Sequence, residues 1–190
     1  MRLKREYIRI EEMKQLLSIV SDLNNMKLSL DAELERLKKF RKDMDSDYIE
    51  SVTFGSCELT DMPFANTNET SDKTANVALT YHKEISNEAE EIKKYMQEII
   101  REKYNIEVVL DKIELGMRLI DKKQKRILEL KYFQCCTWNE ILKELKNDKC
   151  FYSKVQVQRI VKSSVAKLTT ITMIDMQMYN NVMSLAKKNQ

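Results

Sequence analysis

The residues that punctuate a fold are nearly missing from this chain. Among 190 residues there are 2 Gly and 1 Pro, too few for a protein built from many tight turns, hairpins and short strands. There is 1 His, and the 4 Cys (Cys57, Cys135, Cys136 and Cys150) form no CxxC pair and lie far from His82 in sequence. A structural zinc site takes four N or S ligands in clustered spacing, so no metal is expected. No apolar run approaches the roughly 20 residues that cross a bilayer, and the start, Met1-Arg-Leu-Lys-Arg-Glu6, is charged where a signal peptide would carry an apolar core. The expectation is a cytoplasmic protein with reduced thiols and no membrane contact. There is also no Gly-rich phosphate loop. A Cys–His pair would have to draw on His82, inside a heptad region, and the carboxylates are scattered over helix faces. No catalytic set emerges, so neither enzyme activity nor a cofactor is expected.

What is abundant is the vocabulary of long amphipathic helices. Charged residues make up 33% of the chain, and Lys, Glu, Leu, Ile and Met are plentiful. From about Tyr7 to Met44 one seam position reads Leu16, Leu23, Leu30, Leu37, Met44, and its companion reads Met13, Val20, Lys27, Leu34, Arg41. That is a heptad repeat with two basic interruptions, which cost stability and can set register or partner. The stronger repeat comes later. Ile85, Ile92, Ile99, Ile106, Ile113 and Ile120 recur every seventh residue, with Ala89, Met96, Leu110 and Met117 as companions and Lys103 as the exception. A helix carrying that ladder must cover it with the first helix, a second subunit, or both. Residues 46–72 lack the period and hold Gly55, Pro63 and many Ser, Thr, Asn and Asp, which predicts a surface loop. Gly116 is a candidate end or bend of the second helix.

These patterns predict an all-α protein with five segments: a heptad helix over 1–45, a flexible loop over 46–72, the Ile-ladder helix over 73–118, a small helical head over 119–168, and a helical tail over 169–190. The long helices read as an antiparallel coiled-coil hairpin, or as a dimeric coiled coil. Ile85, Ile92, Ile99, Ile106, Ile113, Leu16, Leu23, Leu30 and Leu37 are its candidate coiled-coil and oligomerisation residues.

The head carries the chemistry. Between Leu119 and Leu168 there are 12 Lys/Arg against 5 Asp/Glu, although the whole chain is only +3. A local positive field draws phosphate backbones. Thr137-Trp-Asn-Glu140 has the form of a capping box, followed by Ile141 and Leu145 on an apolar face. Ser153 can cap a further helix on which Val157, Ile160, Val161, Val165 and Leu168 face inward, leaving Lys154, Gln156, Gln158, Arg159 and Lys162 outward. Polar and basic side chains at a helix start can reach base edges in a major groove, Arg pairing with guanine and Gln with adenine. Ser153 and Lys154 suit phosphate at the positive end of the helix dipole. Lys122, Lys123, Lys125 and Arg126 are candidate phosphate contacts, with Lys122, Lys123 and Arg126 the ones assigned to the interface. An ordinary amphipathic helix with a wet polar side fits the same spacing.

The segment Ile120-Asp-Lys-Lys-Gln-Lys-Arg-Ile-Leu-Glu-Leu-Lys-Tyr-Phe133 resembles the first part of bacterial sigma factor region 4. Thr137-Trp-Asn-Glu-Ile141 resembles the Ser/Thr-x-x-Glu-Ile start that follows there, and Ser153-Lys-Val-Gln-Val-Gln-Arg-Ile160 resembles its recognition helix. The whole layout, including Ser71-Asp-Lys-Thr-Ala-Asn-Val-Ala78, is similar to phage and mobile-element regulators related to ArpU and RinA. The resemblance implies a helix-turn-helix (sigma region 4-like) head, sequence-specific binding of double-stranded DNA, and control of transcription in a phage or mobile-element operon. Homo-oligomerisation, with a dimer favoured, would set the spacing of the heads. Two features depart from the family pattern. Cys135 stands where such heads usually carry Gly, and seven residues, Lys146 to Tyr152, separate Leu145 from Ser153 where the family turn is short. Three other readings stay open: a sigma-like accessory factor that binds RNA polymerase, a DNA-packaging component of the small-terminase kind, and a purely structural coiled coil.

Overall fold

The structure is a computed structural model that describes residues 6–54, 70–148 and 150–188, with side chains described outside 45–54 and 70–85. Every named element among the described residues is helical: α1 (Ile10–Ser18), α2 (Val20–Phe54), α3 (Thr70–Leu119), α4 (Lys122–Leu128), α5 (Trp138–Asn147), α6 (Lys154–Thr172) and α7 (Met176–Lys188), with α4 running on into a π turn over Glu129–Phe133. An isolated bridge between Tyr7 and Asp175 is the sole extended pairing among them. The all-α expectation therefore holds. No helix of the described residues is long and apolar enough to cross a membrane.

Several boundaries differ from those expected. The first helix is broken at Ile19, where the backbone leaves helical geometry (φ −107°) and its N–H turns back to the Leu16 carbonyl. Neither Gly nor Pro marks the site. The edges of the predicted 46–72 loop are helical, because α2 continues through Phe54 and α3 already begins at Thr70; the remainder of that prediction, residues 55–69, lies outside the described ones.

The chain divides into two compact units, Met1–Ser29 with Glu102–Gln190, and Leu30–Arg101. In the second, Leu34 and Ile99 are buried while Leu30, Leu37, Ile92 and Met96 are half-buried, and the Tyr95 hydroxyl donates to Glu33 Oε1 at 2.6 Å. Ile85 lies outside the described side chains.

The first unit holds the larger core. Met13, Leu16 and Leu17 of α1 are fully buried, and α1 packs on α6, the π turn and α7. α1 is thus part of the head. Ile8 N–H donates to the Ile174 carbonyl at 3.0 Å, and Met176 N–H to that of Glu6 at 2.8 Å, so the tail is tied down beside α1. The Tyr179 hydroxyl donates to Gln15. Leu23, Ile106 and Ile113 are buried within the chain's own first unit. The basic interruptions of the two heptad seams meet there: Lys27 Nζ lies 3.0 Å and Lys103 Nζ 3.7 Å from the Glu107 carboxylate. The Glu107 carboxylate thus faces both seam cations, which favours this register over its neighbours. Arg41 is exposed.

Gly116 does not end the second helix. It sits inside α3, and a Cβ there would lie 2.9 Å from both Leu168 Cδ2 and Thr172 Cγ2 of α6. The missing side chain lets two helices approach closely. Leu168 and Thr172 are themselves buried and have little room to yield. Gly116→Ala gains about 1 kcal/mol in helix propensity against ~1–3 kcal/mol of overpacking. A net loss of about 1 kcal/mol is expected in urea unfolding; a more stable variant would show that the contact relaxes freely.

Candidate nucleic-acid interface

α4, α5 and α6 each begin on a side-chain cap. Asp121 accepts from Lys123 N–H at 3.2 Å. The predicted box at α5 is present in both directions: Glu140 N–H donates to Thr137 Oγ1 at 3.4 Å, and Thr137 N–H to Glu140 Oε2 at 2.7 Å. The bonds from Thr137 hold the Glu140 carboxyl below its ordinary range. Its contribution to stability is therefore complete above the ordinary carboxylate pKa and is lost as pH falls through the lowered one. Ser153 caps α6 as expected and forms a second box, with Gln156 N–H donating to Ser153 Oγ at 3.3 Å and Ser153 N–H to Gln156 Oε1 at 2.8 Å.

The turn before Thr137 has an explanation in the backbone. After the π turn, Gln134 N–H reaches the Glu129 carbonyl at 2.9 Å and Cys136 N–H the Leu130 carbonyl at 2.9 Å. Cys135 between them takes φ 53°, the left-handed conformation that Gly adopts without penalty. Its side chain is exposed. Cys135→Gly relieves the strain and gives back part of the gain as unfolded-chain entropy. The expected result is a stabilisation of about 0.5–1 kcal/mol, read as a raised urea midpoint at unchanged slope. A destabilised variant would mean that the thiol contributes more than it strains.

The seven residues between Leu145 and Ser153 are not all loop. α5 runs to Asn147 and ends at the C-cap Asp148, and Cys150 N–H closes onto the Leu145 carbonyl at 2.7 Å. The connection proper is 148–152, of which Phe151 is 81% exposed. Trp138 is half-buried, with the Lys131 ammonium 4.7 Å from its ring centroid, a cation–π contact.

α6 divides into the two faces expected. Val157, Val161, Val165 and Leu168 are buried, Ile160 is half-buried, and Ser153, Lys154, Gln156, Gln158, Arg159 and Lys162 are exposed. Val155, which sequence reasoning passed over, is 55% exposed. The signal for it was there: with 157, 161, 165 and 168 inward, the helical period turns 155 outward beside 159 and 162. Gln156 departs from its expected role, because its Oε1 is spent on the cap. A bidentate pair with adenine needs that oxygen, so Gln158 is the residue with a whole amide to offer.

The three α4 cations are not equivalent. Lys122 and Lys123 are exposed. The Arg126 guanidinium faces Glu144 (3.8 Å) and Asp148 (3.6 Å) at the end of α5, which makes it a tie between helices before it is a phosphate ligand. Gln124 meets Lys167 Nζ at 3.4 Å, about 20 Å along α6 from Ser153 at 1.5 Å per residue. Lys122 and Lys123 therefore belong to the far half of α6.

The carboxylates of the head are occupied. Asp121 and Glu140 serve in caps, Glu129 lies 3.9 Å from Lys125, and Glu144 and Asp148 hold Arg126. Among the described residues, Lys122, Lys123, Lys154, Arg159 and Lys162 have no ion-pair partner. The acidic side chains of the head are engaged in caps and ion pairs, whereas these five basic ones are not. No group of His, Cys, Asp and Glu among the described residues is arranged to hold a metal ion. No family model, curated protein or solved structure matches the chain.

Proposed function

We propose that this protein is a sequence-specific duplex DNA-binding transcriptional regulator. In this reading α5 and α6 act as a helix-turn-helix, with the outward face of α6 entering the major groove. α2 and α3 form a coiled-coil hairpin that supports the head and sets its oligomeric state. The observation that carries it is the outward face of α6: Lys154, Gln158, Arg159 and Lys162 are exposed and free of ion pairs on a helix whose opposite side is buried. Groove binding asks for such a face, since Arg and Gln read base edges while Lys neutralises phosphate. The left-handed Cys135 gives further support, because it falls where region 4-like heads usually carry Gly. The sequence resemblance supplies the phage or mobile-element setting.

The test is selection of duplexes from a random pool by the full-length chain, followed by titration of the recovered sequence across salt. A recovered consensus, with affinity falling as salt rises, is expected. An unenriched pool together with no salt-sensitive binding refutes the reading. The exposure of Phe151 favours a second reading, a sigma-like accessory factor that docks on RNA polymerase, since an exposed aromatic side chain suits a protein surface. Capture of polymerase without DNA, lost in Phe151→Ser, would select it.

A further inference from the structure

We infer that Val155 reads the C5-methyl group of a thymine lying within two base pairs of the guanine that Arg159 contacts. This inference rests on the DNA-binding reading above and adds the identity of a base. The first turn of α6 has few groups left with which to read a groove. Ser153 and Gln156 are engaged with each other's backbone through the cap, and Val157 is buried. What remains outward is Lys154, a point charge suited to phosphate, and Val155, an apolar residue 55% exposed.

At 100° per residue, Val155, Arg159 and Lys162 fall within about 60° of one another on the helix. The surrounding cations bring Val155 to a polyanion, and its own surface is apolar. In the major groove the one apolar feature of a base edge is the thymine methyl. A contact there removes methyl surface from water at both partners, and nothing on cytosine, adenine or guanine replaces it. Val155 and Arg159 are four residues apart, about 6 Å along the helix axis. Base pairs stack at 3.4 Å per step, so the two side chains reach positions one or two steps apart.

The experiment uses the full-length chain and the duplex recovered from the random pool. Each thymine is replaced in turn by uracil, which keeps base pairing and the O4 acceptor and removes only the methyl. At one thymine, within two steps of the guanine whose replacement no longer matters to Arg159→Ala, affinity is expected to fall about fourfold, the value of one buried methyl-sized group at ~0.8 kcal/mol. In Val155→Ala the same replacement is expected to have no effect. Val155 is exposed, so that variant keeps its fold, and an unchanged thermal unfolding curve checks it. Sequence-specific binding that ignores every uracil replacement overturns this inference and leaves the DNA-binding reading standing. So does a uracil effect that persists in Val155→Ala. Failure to bind any duplex overturns both.

Discussion

Leu16→Ala is expected to cost about 2–5 kcal/mol of stability, the range for emptying a fully buried leucine site, and to weaken the DNA binding proposed for the head. Leu16 lies near the start of the chain, far in sequence from α6. It is nonetheless completely buried, as are Met13 and Leu17 on the same short helix, and α1 packs directly on α6, the π turn and α7. Domains of this size are stable by roughly 5–15 kcal/mol, so the single cavity removes a large fraction of the total. Loosening α1 also withdraws the surface against which the buried side of α6 is set. Leu28→Ala is the control. That leucine is 66% exposed on α2, and its loss is expected to stay within about 0.5 kcal/mol. Urea unfolding of both variants with one set of probes decides the matter. Equal, small losses would mean that α1 is an appendage to the head and that its burial contributes little.

On the proposed DNA-binding reading, Arg159→Ala and Lys122→Ala are expected to separate base reading from phosphate attraction. Arg159 stands on the outward face of α6, exposed and without an ion pair. A bidentate bond to guanine is worth about 1–3 kcal/mol of discrimination. Its loss should lower affinity for the preferred duplex by roughly 5- to 150-fold and relax choice at one position, with little change on unrelated sequence. Lys122 lies toward the other end of α6, near the Gln124–Lys167 contact. Its loss should weaken all sequences alike and reduce the slope of log affinity against log salt by about 1. Arg126→Ala should instead register mainly as stability, because its guanidinium is held between Glu144 and Asp148. Titrating each variant on preferred and scrambled duplexes across salt gives all three results. Uniform, sequence-blind losses from Arg159→Ala would show that α6 lies along the backbone without reading bases.

Much of the head was legible from local signals. The capping box at Thr137 and the cap at Ser153 depend on a few consecutive residues each, and the inward positions of α6 follow from helical period alone. The roles of Gln156 and Arg126 were not legible in the same way. Gln156 has the right residue type and the right face, yet its oxygen belongs to a cap. Arg126 sits in a basic run whose exposure looks uniform in sequence, and only its neighbours on α5 commit it. A pattern of residue types reports which groups are available, whereas the partners that consume them come from other elements.

By itself the sequence determined that the chain is helical, where α5 and α6 start, and which side of α6 is apolar. Those properties rest on contacts within a few residues, where period, capping and the scarcity of Gly and Pro act directly. Only the tertiary structure decided that the first heptad helix breaks at Ile19 and gives its opening turns to the core of the head. It also decided that Gly116 serves the close approach of α6, and that Glu107 gathers the two seam lysines. Each of these joins segments distant in the chain, and the free energy that selects them comes from burial and charge compensation between surfaces no local window contains.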